Sequence, residues 1–539
     1  MLDCKYGQLQ LTKNLTKSTR TFTVEGELAL GEGRPEIEKV LSCRGYLSEV
    51  TGNKDGGKLS LSGRVEVHLV YRGKEPEKGV AEYGMVWQGE KGISFAVEME
   101  YPEPEATWDW KAGIKNLLLE PGSGGAVRYR GEIIVEVRAR TEKNISVVTE
   151  AAEEPGIEII EERAVVEEII NILHSRREVS NQFSLAYPRA PLARLVDCLV
   201  RPVAVRAEVS PGRVIVEGNL ETTLIYVSSD ETGEEVRLET AVWNVKNGGA
   251  FPFQIVFEEP RALPEQVARP EVWVESLSMH SSHQENWSIQ AILGATVELS
   301  EPRRVQMVLD ITGGKEQIID IDRGSFTIEE TVGETEKNFV LEKILTFPSG
   351  ALIPERVLFV DSTPAAVEDA RVEVDRVFLE GETGIILVYA GKNEDEELQV
   401  DAALWENGGA GAVKFAEVME MPGVEPGMKV TVTLGETGVT ADVSDERTVK
   451  INLGFKARVM VREERTLSLV KDCALVPLPE ETRSGILFYL VQPEDTLWGI
   501  ARRYQTTTAA LCKANNLEGP DVELPPGKKL LIPKTPIAG

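Results

Sequence analysis

Apolar and polar residues alternate along most of this chain. The pattern is clearest in three runs, 65–71, 220–226 and 384–389, which are largely apolar at every second position. Gly, Pro, Asn and Asp bound most runs of this kind. A period of two between turn residues is typical of antiparallel strands with one face in water. The alternation therefore predicts a mainly β fold.

A set of three aromatic residues occurs three times. In each set a Tyr closes the alternating run, a Trp follows 16 or 17 residues later, and a Phe stands in the next strand-like segment. The sets are Tyr71, Trp87 and Phe95; Tyr226, Trp243 and Phe253; and Tyr389, Trp405 and Phe415. Successive tyrosines are 155 and 163 residues apart, and successive tryptophans 156 and 162. Such agreement indicates a repeated domain, and we expect three tandem antiparallel β-sandwich-like repeats.

The repeats and their flanking turn residues predict the domain boundaries. The expected units are β repeats at 1–145, 155–303 and 316–465, a linker at 466–485 and a small domain at 486–534. Repeats of this length lie within the usual size range of a domain. The stretch 157–173 fits either a strand or a helix, because its acidic residues recur every three to five positions.

The repeated aromatic residues have two possible roles. They could form a ligand platform copied three times, or they could be core anchors, since aromatic side chains dominate core energetics. Cys43 and Cys198 occupy matching places where the third repeat has Phe359 or Val360. Replacement by an apolar residue favours a packing role for these two cysteines.

The segment 487–533 has a different pattern, which predicts a strand, two short helices and a strand. The first strand alternates over 487–491 and ends at Pro493. Asp495 is the predicted N-cap of the first helix. Apolar residues then recur at helical spacing, namely Leu497, Ile500, Ala501 and Tyr504.

The second helix is predicted to begin near Thr507, and its apolar face is Ala510, Leu511 and Ala514. Asn515 and Asn516 should end it, because Asn tolerates the left-handed conformation that a helix end often needs. The last strand, 529–532, follows a Pro-Gly turn at 526–527.

This segment resembles the LysM family of small glycan-binding domains. The resemblance is carried by Tyr489-Leu490-Val491, Pro493 to Ala501, Tyr504, Leu511, Ala514 to Leu517, Leu524, Pro526-Gly527 and Leu530 to Pro533. In that family the sugar lies in a shallow groove between the loop before the first helix and the loop after the second. The resemblance implies a groove formed by Glu494, Asp495, Thr496 and Leu497 on one side and by Asn516, Leu517, Pro520 and Asp521 on the other.

Two residues of the segment need separate comment. Glu494 stands where most LysM domains have Gly, which lets the backbone approach a ligand closely, so this departure bears on N-acetyl-sugar binding. Trp498 could line the groove, but we expect it to belong to the core of this very small domain.

The charge is unevenly shared. The net charge is −29, of which 486–539 carries +1 and the preceding residues −30. A polyanionic body of that size is repelled by nucleic acid and by anionic lipid surfaces. We therefore expect no nucleic-acid partner and a soluble protein, or one recruited to a basic partner.

The sequence also bears on location. Residues 1–8 lack the basic start and apolar run of a secretory signal, and no stretch of about 18 apolar residues predicts a membrane span. The five cysteines (Cys4, Cys43, Cys198, Cys473 and Cys512) are scattered without a CxxC pair. This spacing argues against a disulfide framework or a structural zinc site and predicts reduced thiols, as in a cytosol.

Residues for catalysis are not grouped in the sequence. His68 lies in a strand pattern, His174 is isolated, and His280 with His283 forms an HxxH motif without an obvious third ligand. We therefore expect a protein that is not an enzyme, with no metal and no cofactor.

An acidic chain with three β repeats and a terminal LysM unit is similar to the clostridial spore proteins built from SPOCS domains plus LysM. The resemblance implies a non-enzymatic adaptor in endospore coat assembly, made in the mother cell and cytoplasmic, at the forespore surface or spore coat. Its LysM domain would bind the coat-basement ATPase, a spore coat morphogenetic ATPase of the SpoIVA type. The β repeats would act as spacer, self-association surface or further docking sites.

Two other functions remain open. The protein could be a peptidoglycan-binding cell-wall or spore-cortex protein that uses LysM to bind N-acetyl-sugar glycan. Glycan hydrolysis is a third hypothesis, but it would need a positioned carboxylate pair, and nothing in the repeats singles one out.

Overall fold

Antiparallel strands make up most of the protein in the computed structural model. The structure describes residues 4–533 apart from 56, 75–79, 101–106, 124, 153–155, 186–188, 284–285, 314–316, 406–410 and 478–486. Within that part of the chain, no helix is long and apolar enough to span a bilayer. The predicted fold class, mainly β with a small α+β unit near residue 500, is confirmed.

The first repeat is a sandwich of two antiparallel sheets. Its strands are β1 (Cys4–Ala29), β2 (Ile37–Asp55), β3 (Lys58–Gly73), β4 (Glu82–Trp87), β5 (Ile93–Glu100), β6 (Thr107–Pro121) and β7 (Ala126–Ala151). One sheet has the order β1-β7-β6, and the other is β2-β3-β4 with β5 also paired to β3. Side chains from both sheets, such as Tyr71 and Ile133, meet in one core.

The second repeat has the same seven-strand plan. Its strands are β8 (Ile157–Ser184), β9 (Leu192–Ser210), β10 (Arg213–Ser229), β11 (Glu235–Trp243), β12 (Phe251–Glu258), β13 (Val267–His283) and β14 (Asn286–Gly313). β10 pairs with β9 along one edge and with β11 and β12 along the other. β14 lies between β8 and β13, and the two sheets enclose one core.

The third repeat differs in that its second and third strands are each broken in two. Its strands are β15 (Gln317–Thr346), β16 (Ile353–Ser362), β17 (Ala366–Glu373), β18 (Arg376–Thr383), β19 (Ile385–Lys392), β20 (Leu398–Trp405), β21 (Val413–Glu420), β22 (Lys429–Asp445) and β23 (Thr448–Pro477). The breaks lie side by side, because Thr363 N–H donates to Gly384 O at 3.0 Å. Pro364 at the break has no N–H for a ladder bond.

Two sequence expectations about boundaries need correction. The last strands β7, β14 and β23 run past the predicted repeat ends at 145, 303 and 465. Residues 466–477 of the predicted linker are therefore strand residues, paired with β15, and 478–485 lie outside the described residues. The ambiguous stretch 157–173 is part of β8, because it pairs with β14 along its whole length. Tertiary pairing here overrides the helix-like spacing of its acidic residues.

The nine repeated aromatic residues are core anchors, as the packing interpretation expected. Their exposed fractions run from 0% to 8%, with Tyr71 and Tyr389 at 0% and Trp243 at 8%. Each repeated Phe covers a Gly on the neighbouring strand: Phe95 pairs with Gly63, Phe253 with Gly218 and Phe415 with Gly381. A Cβ at these glycines would lie 2.9, 2.7 and 2.4 Å from the Phe side chain, respectively. The absence of a Cβ therefore makes room for the aromatic side chain in every repeat.

The three repeats contact one another in a closed cycle. Strands β2, β9 and β16 each carry a cation at the same position, namely Lys39, Arg194 and Arg356. The positions are equivalent because each cation is paired across the sheet with the residue that follows its repeat's Tyr. Lys39 pairs with Asp401 of repeat 3, Arg356 Nη1 lies 2.9 Å from Glu239 of repeat 2, and Arg194 lies 4.6 Å from the centre of the Tyr83 side chain of repeat 1. Tyr83, Glu239 and Asp401 are themselves equivalent, since each is the cross-strand partner of its repeat's Tyr. We call residues 4–477 the β ring.

A buried charge cluster lies where the three repeats meet. Arg44 of repeat 1 pairs with Asp197 of repeat 2 and lies 3.7 Å from a carboxylate oxygen of Asp361 in repeat 3. His68 Nδ1 is 2.9 Å from Asp197 Oδ1. Burial favours the neutral form of Asp197, but Arg44 and His68 outweigh it and hold the pKa of Asp197 below its ordinary value. The cluster therefore brings together charged side chains from all three repeats.

The long first and last strands of each repeat extend beyond the sandwiches and pack together. Their shared apolar cluster contains Leu9, Ile145 and Val147 of repeat 1, Ala164 and Met307 of repeat 2, and Ile328 and Leu469 of repeat 3. Beside it Cys4 and Cys473 form a disulfide that joins β1 to β23. The expectation that all five thiols are reduced is therefore wrong for this pair. Spacing along the chain could not show it, because 469 residues separate the two.

Candidate functional site

The segment predicted to form a groove folds as a strand, two helices and a strand. Its elements are β24 (Leu487–Leu490), α1 (Leu497–Arg503), α2 (Thr508–Asn515) and β25 (Lys529–Ile532), with β24 antiparallel to β25. Apolar side chains from all four elements and their loops fill one core: Val491, Leu497, Ile500, Ala501, Leu511, Leu524, Leu530 and Ile532. The predicted order of these elements is confirmed, and the predicted bounds agree with the observed ones to within about one residue.

The loop before α1 is held by Asp495 and Thr496. Asp495 Oδ2 accepts hydrogen bonds from Gln492 N and from the Tyr489 hydroxyl, both at 2.7 Å. Thr496 is the N-cap of α1, because its hydroxyl accepts from Gly499 N at 3.0 Å. The prediction that Asp495 caps this helix is therefore wrong by one residue. Both residue types can cap a helix, and here Asp495 closes the preceding turn instead.

Glu494 has a backbone conformation that favours glycine. Its φ is 68°, in the left-handed region, where a side chain costs about 1–2 kcal/mol. This conformation gives a physical reason for the Gly found at this position in most LysM domains. The side chain of Glu494 is exposed, so its carboxylate is presented to solvent beside the loop.

Helix α2 ends at two asparagines, as predicted, and the second loop follows them. Asn516 ends the helix with φ 52° and ψ 46°. Asn515 ties the helix to β25, since its Nδ2 donates to Leu531 O at 2.8 Å and its Oδ1 accepts from Leu531 N at 2.6 Å. The second loop is thus fixed at its start to the strand that completes the domain.

Most of the predicted groove residues offer side chains to solvent. Exposed side chains are those of Glu494, Thr496, Asn516, Pro520 and Asp521, while Asp495 and Leu517 are half-buried. Leu497 is the exception: it is 2% exposed and packs in the core. Its assignment to the groove surface is therefore corrected. Apolar spacing alone could not separate a loop-facing leucine from the first core residue of α1.

Charge around the first loop is partly neutralised inside the domain. Arg503 Nη1 donates to the Tyr489 hydroxyl at 2.6 Å, and Arg503 Nη2 lies 3.9 Å from Asp495 Oδ1. The hydrogen bond from Tyr489 holds the pKa of Asp495 below its ordinary value and raises that of Tyr489. Asp495 is therefore a structural carboxylate of this loop, whereas Glu494 and Asp521 place one exposed carboxylate in each loop.

The comparisons with known proteins bear on this segment. A family model described as LysM domain matches residues 489–533. This segment is a LysM domain. No curated protein and no solved structure matches the chain. LysM membership suggests glycan or peptidoglycan binding.

The LysM domain rests against the β ring through the side of α1 and the start of α2. Trp498 is half-buried there, and its Nε1 donates to Asp310 Oδ2 at 2.8 Å. We had expected Trp498 in the apolar core of the LysM domain, but it lies outside that core. Glu158 of the β ring accepts hydrogen bonds from the first turn of α2. Sequence reasoning missed these partners, because 188 and 350 residues separate them from the residues that they contact.

The described part of the chain contains no group of three or more His, Cys, Asp or Glu side chains that could hold a metal ion. His280 of the HxxH motif lies on β13 with its side chain exposed. The LysM loops provide hydrogen-bonding groups and carboxylates on the surface, an arrangement suited to binding.

Proposed function

We propose that this protein is a non-enzymatic adaptor whose LysM domain binds the target and whose β ring carries that domain. The observation that supports this most is the way the LysM domain is attached. Contacts with the β ring use Trp498 and the first turn of α2, while the loops around Glu494 and Asp521 are exposed. The two loops that the LysM resemblance assigns to the ligand groove are therefore left exposed.

The target we propose is the coat-basement ATPase of the SpoIVA type, in the manner of SpoIVA-interacting protein L (SipL). The order of three similar β domains and a LysM domain supports this proposal, because it resembles the SPOCS-plus-LysM spore proteins. In this role the protein works in the mother-cell cytoplasm at the forespore surface. Glu494 and Asp521 favour a ligand with positive charge over a neutral sugar, since exposed opposite charges steer association.

Peptidoglycan is the second candidate target, and the LysM match itself favours it. In this alternative the same two loops contact N-acetyl-sugar glycan in a cell wall or spore cortex. Sugar binding by shallow grooves depends on hydrogen bonds and close backbone approach, and therefore less on exposed carboxylates. The two candidates thus predict different responses to charge reversal.

Charge reversal in both loops tests the proposal. We would measure the affinity of the full chain for a purified SpoIVA-type ATPase and its retention by purified peptidoglycan, with Glu494→Lys/Asp521→Lys as the variant. Glu231→Lys, an exposed change in the turn between β10 and β11, is the control. We expect the double variant to weaken ATPase binding at least tenfold, or about 1.4 kcal/mol. If the wild-type protein is retained by peptidoglycan and does not bind the ATPase, peptidoglycan replaces the ATPase as the proposed target.

A further inference from the structure

We propose that Glu158 and Asp310 of the β ring are positioning residues for the LysM binding surface. Together with Thr312 they form what we call the dock, which holds α1 and α2 in one orientation. The β ring is then part of the binding apparatus, and the LysM domain is not a module that swings on a tether. The proposal rests on the proposed function in one respect, namely that the two exposed loops are the binding surface.

The start of α2 is anchored by Glu158. Its Oε2 accepts from Thr508 N at 2.7 Å and from Thr508 Oγ1 at 2.9 Å, and its Oε1 accepts from Ala509 N at 3.0 Å. The first N–H groups of a helix have no partner within the helix, and a negative charge is stabilised at that end. A carboxylate from a different domain thus satisfies two backbone donors of α2.

The start of α1 is anchored by Asp310. Its Oδ2 accepts from Trp498 Nε1 at 2.8 Å and lies 3.7 Å from Arg502 Nη1. Asp310 is itself held, because its Oδ1 accepts from Ile311 N at 2.8 Å and pairs with Arg323. The indole therefore meets an acceptor whose position is set by the β ring.

A third contact lies in the turn between the two helices. Thr312 Oγ1 donates to Thr506 O at 3.2 Å, and both residues are buried. The dock therefore contacts the first turn of α1, the connecting turn and the first turn of α2. Contacts at three places on two helices restrain both the position and the rotation of the LysM domain.

Of the LysM residues that the dock holds, Trp498 lies close in sequence to the first loop, whereas Thr508 lies at the far end of α2 from the second loop. Trp498 is the second residue of α1, and the N-cap Thr496 ends the first loop. A contact that holds the indole therefore also restrains the end of this loop. The second loop begins at the opposite end of α2 from Glu158, and eight residues of helix span about 12 Å. Both loops are thus oriented by the dock while neither is covered by it.

Amide exchange in the full chain tests the anchor at α2. Protection of the Thr508 and Ala509 N–H groups should depend on Glu158, whereas the Ala510 N–H is capped inside the LysM domain by Thr507 Oγ1 at 3.0 Å. In Glu158→Ala we expect exchange at the first two positions to accelerate several-fold, with Ala510 unchanged as the internal control. Glu158→Gln, which keeps one acceptor oxygen, should restore part of the protection. Equal exchange rates at Thr508 and Ala509 in the wild type, Glu158→Ala and Glu158→Gln would overturn the dock.

A binding measurement then tests the positioning role. The probes are purified peptidoglycan and a purified SpoIVA-type ATPase, and the variant is Glu158→Ala/Trp498→Phe. We expect several-fold weaker binding to whichever probe the wild type retains, with Ala510 still protected. Unchanged affinity in a variant whose first-turn amides exchange freely would overturn the positioning role. Failure of the wild type to bind either probe would instead count against the proposed function, and amide exchange would still decide whether the dock exists.

Discussion

Adding one methyl group at Gly218 should destabilise the second repeat. Gly218 lies in β10, and Phe253 of β12 is its cross-strand partner. A Cβ at position 218 would lie 2.7 Å from Phe253 Cζ, 2.8 Å from Cε1 and 3.1 Å from Val203 O. The first two distances are too short for carbon atoms, so either the aromatic side chain or a strand must move.

The size of the effect follows from two opposing contributions. Overpacking a well-filled core costs about 1–3 kcal/mol, while replacing Gly by Ala in a strand returns about 0.5–1 kcal/mol of conformational entropy. The net loss for Gly218→Ala is therefore about 1 kcal/mol and at most about 2.5 kcal/mol. For a domain the size of repeat 2, this corresponds to a fall in Tm of about 2–4 °C per kcal/mol.

Scanning calorimetry of the full chain is the assay, and Gly113→Ala is the matched control. Gly113 lies in β6, where the nearest atom to an added Cβ is Ile134 Cγ2 at 3.6 Å, so this change should be neutral or slightly stabilising. Phe253→Leu combined with Gly218→Ala should lose less stability than the sum of the two single changes, because the clash is then removed. A Gly218→Ala protein as stable as Gly113→Ala would refute the packing argument.

Three further predictions concern single residues. Trp243→Ala should lower the free energy of unfolding of repeat 2 by about 3–5 kcal/mol, because the ring centres of Trp243 and Phe183 lie 4.8 Å apart in the core. An unaltered melting curve would contradict a core role. Glu494→Gly should raise the stability of the LysM domain by up to about 1 kcal/mol, because the left-handed φ ceases to be strained; a lower melting temperature in calorimetry would argue otherwise. A hydrogen bond with Asp109 raises the pKa of His174. The stability from this contact is therefore present below the ordinary His pKa and is lost as the pH rises through the raised value. An NMR titration should show a lower midpoint in Asp109→Asn, because the burial that lowers the pKa of His174 is then no longer offset by Asp109; an unmoved midpoint would exclude the contact.

Local pattern was sufficient for much of the fold. The alternation around Tyr71, Tyr226 and Tyr389 predicted strands and a repeat, because each repeat has to bury the same aromatic side chains. Within the LysM domain, the helix-ending role of Asn516 also followed from a property of the residue itself. The Gly partners of the repeated Phe residues, such as Gly218, carry a signal that could have been found, since each precedes its repeat's Tyr by eight residues.

The arrangement of the repeats was not accessible from pattern. Closure of the β ring depends on pairs such as Arg356 with Glu239, and the dock depends on Glu158 with Thr508. Partners of this kind are separated by more than 100 residues, and any exposed glutamate in an acidic chain has the same local pattern. The wrong prediction of the N-cap of α1 has a different cause. Asp495 and Thr496 are adjacent, and both residue types can cap a helix.

The central claim is that the LysM domain carries the binding surface and the β ring supports it. The most direct test compares the full chain with a chain truncated after residue 477, each presented to a purified SpoIVA-type ATPase and to purified peptidoglycan. We expect the truncated chain to keep the β-sheet circular dichroism and to lose retention on the probe that the full chain binds. Undiminished binding by the truncated, folded β ring would contradict the claim.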